Sequence, residues 1–313
     1  MEEGSISYAG RIPEKVLKGL LGNDDEIYKL SNFSSLPAQF AISQFAYECL
    51  FRPNAVAPYK NDPQTNQIKG IISESKINRP IRILDYGAGK GRLASTFYES
   101  EDFKKENLND YLDYIAFDID NKDKEFCENT ITSIYGSSDK RYFNSPTDLL
   151  STFDKQSFDY VVMCNLFHEI DPKEWLNIFS SEGIILQLLK EDGFLLIVED
   201  NQMPTGEKAY QKGFLVLDIL QIKILFNIKE TDTEYKVCDA REDGRLKTHF
   251  IPKKYVERVN ADSRLRAIKS LNMTAKEKIK ELRSFVPNFK NGKLHGFWVQ
   301  QFANTNIALD ELE

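Results

Sequence analysis

The part of the sequence that most constrains the fold is residues 81–95, IRILDYGAGKGRLAS, where an apolar strand leads into a glycine-rich turn and the start of a helix. Gly87, Gly89 and Gly91 stand at alternate positions. Glycine adopts positive φ angles readily and lets the backbone approach a ligand that a Cβ would exclude. The pattern therefore predicts a nucleotide-cofactor loop at the carboxyl end of a strand.

The residues around this loop exclude two common nucleotide sites. A dinucleotide fingerprint needs a small residue at position 92, where this chain has Arg92, and a Walker loop needs a Gly-Lys-Ser/Thr sequence that is absent. Asp85 lies two residues before the first glycine. A carboxylate there suits a cationic ligand end, such as the ammonium of a methionine moiety, and suits a pyrophosphate poorly.

The run DYGAGKG resembles the first motif of the class I S-adenosylmethionine-dependent methyltransferases, D/E-x-G-x-G-x-G, and the resemblance extends over roughly residues 81–199. It implies a Rossmann-like α/β fold with a seven-stranded, mostly parallel sheet. It also implies S-adenosylmethionine as the cofactor and methyl transfer as the activity. The residues that it places beside the methionine part of the cofactor are Asp85, Tyr86, Gly87, Ala88, Gly89 and Gly91.

The next two strands continue this resemblance. The run YIAFDID resembles the second strand of the family, whose terminal acidic residue binds the ribose hydroxyls, and Asp118 is the matching position, followed by Ile119. The run KRYFNSP offers only a short third strand before a turn. We expect Asn144 and Ser145 at the adenine edge.

The fourth and fifth strands are predicted from the runs FDYVVMCNLFHEI and DGFLLIVED. Ligands of open α/β sheets bind at the carboxyl ends of such strands. We therefore expect Asn165, Phe167 and His168 near the cofactor, with Glu199 at the tip of the fifth strand.

His168 and Glu199 are the predicted catalytic residues. Their order along the chain resembles the small-molecule O-methyltransferases, which place a base histidine after the fourth strand and a glutamate after the fifth. A hydroxyl is a poor nucleophile until a base of near-neutral pKa removes its proton. The alternative is that His168 and Glu169 simply begin the next helix. The usual His-Asp-Trp sequence of that group is replaced here by His168, Glu169 and Ile170.

Composition limits the remaining classes. No apolar run approaches the ~18 residues of a membrane span, and the N-terminal MEEGSISYAG lacks the basic and apolar regions of a secretory signal. We expect a cytoplasmic protein without membrane contact. The four cysteines are isolated and only three histidines are present, so no metal site is predicted.

Two regions are predicted. Residues 1–79 form a helical N-terminal cap, which in many methyltransferases covers the cofactor cleft or forms a homodimer. Residues 80–313 form the methyltransferase domain, with a hairpin and helices inserted at about 233–291. The hairpin is predicted around Asp243-Gly244, a helix from Thr274, and a last strand over residues 292–303.

Charge is distributed unevenly along the chain. Residues 241–293 contain fifteen Lys or Arg and six Asp or Glu, whereas the whole chain has a net charge of −7. Such asymmetry is typical of an RNA, phosphate or acidic-protein contact, and a solvated helical face is the alternative.

The favoured function is methyl transfer to a hydroxyl of a small molecule. The alternatives are an RNA or protein methyltransferase and a cofactor-binding sensor or scaffold without activity.

Overall fold

The computed structural model describes residues 62–99, 108–201, 214–239, 244–286 and 288–312. The chain divides into two compact units. The sheet unit comprises Val56–Asn201 and Asp218–Arg264, and the helical unit comprises Met1–Ala55, Gln202–Leu217 and Leu265–Glu313. Residues 1–61 of the predicted helical N-terminal cap, which include an apolar pattern of helical spacing over residues 38–51, lie outside the described residues.

The sheet unit is built on seven strands in the order β3-β2-β1-β4-β5-β7-β6. Strands β1 to β5 are parallel, and β7 pairs antiparallel with both β5 and β6. The strands are β1 (Ile81–Tyr86), β2 (Leu112–Phe117), β3 (Tyr142–Phe143), β4 (Phe158–Cys164), β5 (Leu189–Asp200), β6 (Lys236–Cys238) and β7 (Leu246–Pro252). The predicted fold, a mostly parallel seven-stranded α/β sheet, is confirmed.

The helices of the described residues lie between and after the strands. They are α1 (Pro63–Ser73), α2 (Arg92–Tyr98), α3 (Leu108–Tyr111), α4 (Lys124–Tyr135), α5 (Pro146–Thr152), α6 (Trp175–Ile178), α7 (Ile184–Leu188), α8 (Ile219–Leu225), α9 (Lys253–Val256), α10 (Ala261–Arg283) and α11 (Phe289–Leu312). Short 3₁₀ turns cover Asn121–Asp123 and Phe167–Glu169.

The apolar runs of the sequence form the centre of the sheet. Ile83 and Leu84 on β1 and Val161 and Val162 on β4 are fully buried, as expected of parallel strands covered on both faces. The chain builds outward from β1 to β2 and β3, and then crosses to β4 on the other side of β1. Strand order reverses between β1 and β4, and ligands of such sheets bind at the carboxyl ends of the strands beside this reversal.

Helix α1 is fixed to α2 by short polar contacts. Asp62 caps α1 by accepting a hydrogen bond from the backbone N–H of Gln64 at 2.9 Å, and Pro63 occupies the first turn. The hydroxyls of Thr65 and Thr96 are 2.7 Å apart. The start of α1 is thereby held beside the helix that follows the glycine loop.

The two strands of the predicted hairpin are present, because Lys236–Cys238 pairs antiparallel with Leu246–Pro252, whereas residues 240–243 of its turn lie outside the described residues. The prediction of a last strand over residues 292–303 is wrong, because these residues lie within α11. Phe297, Gln301, Thr305 and Ala308 are buried at helical spacing. A short apolar run does not by itself distinguish a strand from a buried helix.

The predicted starts of two other helices also differ from the structure. Helix α10 begins at Ala261, not Thr274. Asn260 and Ser263 exchange side-chain to backbone hydrogen bonds at 2.9 and 3.0 Å, which is a reciprocal cap that fixes the earlier start. The sequence of residues 206–227 has a broad apolar face that predicts one long helix, and among the described residues of this range the helix is α8.

Candidate active site

The glycine loop after β1 has the backbone conformation that its sequence predicts. The φ angles of Gly87, Gly89 and Gly91 are +83°, +50° and +76°. A Cβ on Gly87 would lie 2.5 Å from Cδ2 of Leu166, in the loop after β4, whereas a Cβ on Gly89 would have no neighbour within 4 Å. Gly87 therefore allows two loops to pack closely, and Gly89 leaves open space at the ends of the strands.

Asp85 is a buried acid at the end of β1. Only 3% of it is exposed, and the hydroxyl of Tyr114 on the neighbouring strand donates to its Oδ2 at 2.7 Å. Burial raises the pKa of Asp85 to about 6, although the Tyr114 hydrogen bond and the positive charge of Arg92 oppose this shift. A nearby cation would shift this carboxyl group toward its ionised form.

Asp118 follows β2 and supports the glycine loop. Its Oδ2 accepts a hydrogen bond from the backbone N–H of Gly89 at 2.8 Å, and its Oδ1 accepts one from Asp120 at 2.9 Å. Partial burial raises the pKa of Asp118. An ionised carboxylate has about four acceptor positions, so these bonds leave capacity for ligand hydroxyls. Ile119, the next residue, is 74% exposed.

The two residues predicted at the adenine edge follow β3. Asn144 donates from its side chain to Oδ1 of Asn121 at 2.6 Å, which ties the ends of β2 and β3 together. Ser145 caps α5 by accepting from the backbone N–H of Asp148 at 3.3 Å. Both residues therefore lie at the carboxyl edge of the sheet.

Asn165 is the first residue after β4, with a φ of +50°. Its backbone N–H donates to Val198 at 2.8 Å. The side-chain Oδ1 is buried and accepts no hydrogen bond from the part of the chain that the structure describes. A buried acceptor without a donor is costly, and a ligand N–H group would satisfy it.

Phe167 anchors the loop that bears the predicted base. It is 1% exposed, and its ring centroid lies 4.9 Å from that of Trp175 and 5.8 Å from that of Phe179. This aromatic packing fixes the start of the loop after β4, and therefore the position of His168.

The structure brings His168 and Glu199 together. Nδ1 of His168 lies 2.8 Å from Oε2 of Glu199, and the two side chains are 0% and 2% exposed. The backbone N–H of His168 also donates to Oε1 of Glu199 at 3.4 Å. An ionised carboxylate only accepts hydrogen bonds, so a contact of this kind favours the tautomer that bears its proton on Nδ1 and leaves Nε2 as the basic nitrogen. Nε2 lies 3.8 Å from Oε1 of Glu169.

A polar network that the sequence analysis missed lies beside this pair. Lys247 on β7 pairs in register with Glu199 on β5, which directs both side chains to the same face of the sheet. Its Nζ lies 2.7 Å from Oδ1 of Asp218, and the side chain of Asn201 donates to the same oxygen at 2.9 Å. Burial alone would raise the pKa of Asp218, but the hydrogen bonds from Lys247 and its neighbours outweigh this effect and lower the pKa. No local motif marks this network, because it depends on antiparallel pairing.

The sequence analysis also missed a second ion pair, at the start of α2. Nη1 of Arg92 donates to Oδ2 of Asp62 at 2.8 Å, with the side chains 30% and 4% exposed. Residues 30 positions apart give no sequence signal of such a contact. The contact depends on the packing of α1 against α2, which also brings the hydroxyls of Thr65 and Thr96 together.

The described residues contain neither a candidate metal site nor a candidate membrane span. These residues contain no group of three or more His, Cys, Asp or Glu side chains that could hold a metal ion. None of their helices is long and apolar enough to span a membrane.

The family assignment follows from a comparison of the sequence with known families. The model of a family described as "Methyltransferase domain" matches residues 64–227, just over half of the 313 residues. The chain belongs to this methyltransferase family. The matched range runs from α1 through α8 and contains the glycine loop, Asp118, His168 and Glu199. The predicted class, a class I methyltransferase that uses S-adenosylmethionine, is confirmed.

Several solved structures resemble this methyltransferase in fold. A SAM-dependent methyltransferase from Archaeoglobus fulgidus is 17% identical, with a TM-score of 0.31, over 44% of this chain and 52% of that one. The carbon methyltransferase CurJ is 13% identical, with a TM-score of 0.42, over 76% and 69%. Coclaurine N-methyltransferase is 11% identical, with a TM-score of 0.38, over 98% and 92%. This chain thus spans about half of the archaeal protein. No curated protein matches the sequence.

Proposed function

We propose that this methyltransferase transfers the methyl group of S-adenosylmethionine to a hydroxyl of a small molecule, with His168 as the general base. The observation that supports this proposal is the 2.8 Å contact between His168 and Glu199 at the carboxyl ends of β4 and β5. A base oriented by a buried carboxylate is needed to deprotonate a hydroxyl, whereas a neutral amine acceptor already has a free electron pair.

The residues at the strand ends fit the cofactor. The carboxylate of Asp85 suits the ammonium of the methionine part, and the unsatisfied Oδ1 of Asn165 would accept a hydrogen bond from a ligand N–H. The backbone at Gly89 leaves space for the ligand. Asp118 would accept from the ribose hydroxyls, and the exposed side chain of Ile119 would cover an apolar face of the adenine. When bound, the cofactor supplies a methyl group on a positively charged sulfur.

The chain then has two tasks in the reaction. It holds the acceptor hydroxyl in line with the methyl group, which alone supplies much of the rate enhancement. Nε2 of His168 accepts the hydroxyl proton as the new bond forms. The resulting imidazolium is stabilised by Glu199, whose carboxylate stays hydrogen-bonded to Nδ1. Because both side chains are buried, little solvent screens this interaction.

The test is an assay of the pure protein with methyl-labelled S-adenosylmethionine and a cell extract, with label counted separately in small molecules, RNA and protein. The proposal expects label in the small-molecule fraction, in a product whose new bond is an O-methyl ether or ester. His168→Ala should abolish this signal, and His295→Ala should retain it. Label in an N-methyl or C-methyl product would contradict the assignment of a hydroxyl acceptor.

A second candidate function, RNA methylation, is favoured by one surface of the helical unit. Five exposed basic residues recur every three to seven positions along one face of α10, namely Arg266, Lys269, Lys276, Lys280 and Arg283. A row of cations on one helix face is typical of contact with a phosphate backbone. In this alternative the acceptor is an RNA ribose or base.

Salt-dependent binding of a labelled mixed-sequence single-stranded RNA separates the two candidates. The RNA alternative predicts binding that weakens steeply with salt and is reduced by Lys276→Glu with Lys280→Glu. Lys278→Glu is the matched control, because Lys278 is exposed on a different face and pairs with Glu281 at 2.7 Å. RNA binding that neither substitution changes would remove the support for this alternative.

A further inference from the structure

Arg92 is the residue that breaks the dinucleotide pattern, and the proposed function gives it no role. It directly follows Gly91 and is the first residue of α2. Its Nη1 is held at 2.8 Å by Oδ2 of Asp62, a side chain that is 4% exposed and also caps α1. The guanidinium is therefore held in a defined position at the end of the glycine loop.

Most of the hydrogen-bonding capacity of Arg92 is not used by the described residues. A guanidinium has five N–H donors in a planar fork. In the described part of the chain, Asp62 is the side chain that binds it, through one nitrogen, and 30% of the Arg92 side chain is exposed. The remaining donors can bind an anionic group of a ligand.

The positive charge of Arg92 acts on the strand ends where the cofactor is proposed to bind. Burial raises the pKa of Asp85 at the end of β1, and Arg92 opposes that shift. Burial likewise raises the pKa of Cys164 at the end of β4, and Arg92 is again the leading opposing charge. The glycine loop that precedes Arg92 begins at the end of β1, and its Gly87 packs against Leu166 in the loop after β4. Arg92 therefore lies close to the ends of the two strands between which the strand order reverses.

We infer that Arg92 binds the carboxylate of the methionine part of the cofactor, and that Asp62 is the positioning residue that orients it. This inference rests on the proposed cofactor site. The amino acid end of S-adenosylmethionine is a zwitterion, and the loop has a carboxylate before its first glycine and a guanidinium after its last. Asp85 and Arg92 thus match the two opposite charges of the ligand. Arginine binds carboxylates through two parallel hydrogen bonds, which lysine cannot reproduce.

The test compares two ligands that differ by the carboxylate, S-adenosylmethionine and its decarboxylated form, by calorimetry on the full chain. The unaltered protein should bind S-adenosylmethionine the more tightly of the two. Arg92→Gln should weaken its binding by about 10- to 100-fold, as expected for a charged hydrogen-bonded pair. Binding of the decarboxylated ligand should change less than about twofold. Arg92→Lys should be intermediate. Retained binding of the decarboxylated ligand also shows that each variant is folded.

Arg82→Gln is the matched control, because Arg82 also pairs with an aspartate, Asp113, at 2.7 Å but lies at the amino end of β1. It should leave both affinities unchanged. Asp62→Asn should weaken only S-adenosylmethionine binding, and less than Arg92→Gln does. Adding it to Arg92→Gln should cause little further loss, because the two residues act as one unit.

Equal weakening of both ligands by Arg92→Gln would show that Arg92 only supports the loop, and no change in either would also overturn the inference. These results are independent of the acceptor. Cofactor discrimination by Arg92 together with transfer to nitrogen or carbon would leave the inference intact and refute only the hydroxyl assignment.

Discussion

Two buried acids lie at the carboxyl edge of the sheet, and they differ mainly in their partners. Asp85 accepts a hydrogen bond from the Tyr114 hydroxyl at 2.7 Å, and Glu199 lies 2.8 Å from Nδ1 of His168. Both acids are at most 3% exposed. The two sites therefore have similar burial and similar hydrogen-bond distances, and they differ in the chemistry of the partner side chain.

The partners differ in whether they can take up a proton. Burial and the charge of Asp85 raise the pKa of Tyr114 well above its usual value, so the phenol stays protonated and only donates. Imidazole is the side chain whose unperturbed pKa lies near neutrality. In the proposed function, the Asp85 pair is therefore a fixed electrostatic site for a cation, and the Glu199 pair is the proton acceptor.

Among the substitutions that test this comparison, His168→Ala should have the largest effect, and the effect should be on turnover. His168→Ala should lower kcat by about 100-fold or more, because a general base contributes about 10²- to 10⁴-fold. The affinity for S-adenosylhomocysteine should remain within about twofold, since Asp85 and the glycine loop are untouched. The measurements are steady-state kinetics with the labelled acceptor fraction and calorimetry. His295→Ala in the helical unit is the histidine control, and equal turnover in both variants would reject the catalytic role.

Glu199→Gln should have a smaller effect on the same step. The amide retains the shape of the side chain but cannot stabilise the imidazolium, and loss of such an orienting carboxylate costs about 10- to 100-fold. The acidic limb of the pH profile of kcat should also shift to lower pH, because the protonated histidine loses its countercharge. Glu191→Gln, an exposed position on the same strand, is the control. An unshifted profile would indicate that Glu199 only fills space.

The sequence predicted the fold and the residues at the strand ends better than it predicted the partners of those residues. The glycine loop, Asp85, Asp118, His168 and Glu199 were predicted because each lies at or just after the carboxyl end of an apolar strand, and the carboxyl ends of parallel strands share one edge. Their partners were harder to predict. Tyr114, Asp62 and Lys247 meet the site through sheet pairing or helix packing, and their distance along the chain leaves no periodic signal.

The errors at the C-terminal end have a related cause. The run over residues 292–303 is rich in apolar and aromatic residues, which suits a strand or a buried helix equally. The decisive residues, Gln301 and Thr305, are polar, and their burial within α11 is a tertiary effect. Gln301 accepts from the backbone of Val216 at 2.8 Å and donates to Phe214 at 3.0 Å. No count of apolar residues predicts the burial of such a side chain.

The Asp85 pair should be visible in the pH dependence of cofactor affinity. The ligand ammonium favours the ionised carboxyl, so affinity should be highest above the Asp85 pKa of about 6 and fall as pH decreases through it. One pH unit below that pKa, the affinity should be about tenfold lower than at neutral pH. Calorimetry with S-adenosylhomocysteine from pH 5 to pH 8 measures this change. Asp85→Asn should bind weakly and lack the transition near pH 6, and a transition that persists in this variant would assign it to another group.

The smallest expected effect comes from removing the phenol alone. Tyr114→Phe deletes the donor that stabilises the ionised form of Asp85 at 2.7 Å, so the pKa of Asp85 should rise above 6. The pH dependence of cofactor affinity should then move upward by about half a unit to one unit, with a loss of affinity of about two- to fivefold at pH 6 that is recovered at pH 8. The same series of titrations measures it, and Tyr135→Phe, whose hydroxyl donates to the Leu112 carbonyl at 3.2 Å, is the control. If Tyr114→Phe also lowered kcat at saturating cofactor, the separation between a fixed cation site and a proton acceptor would fail, because the Asp85 pair would then participate in the chemical step.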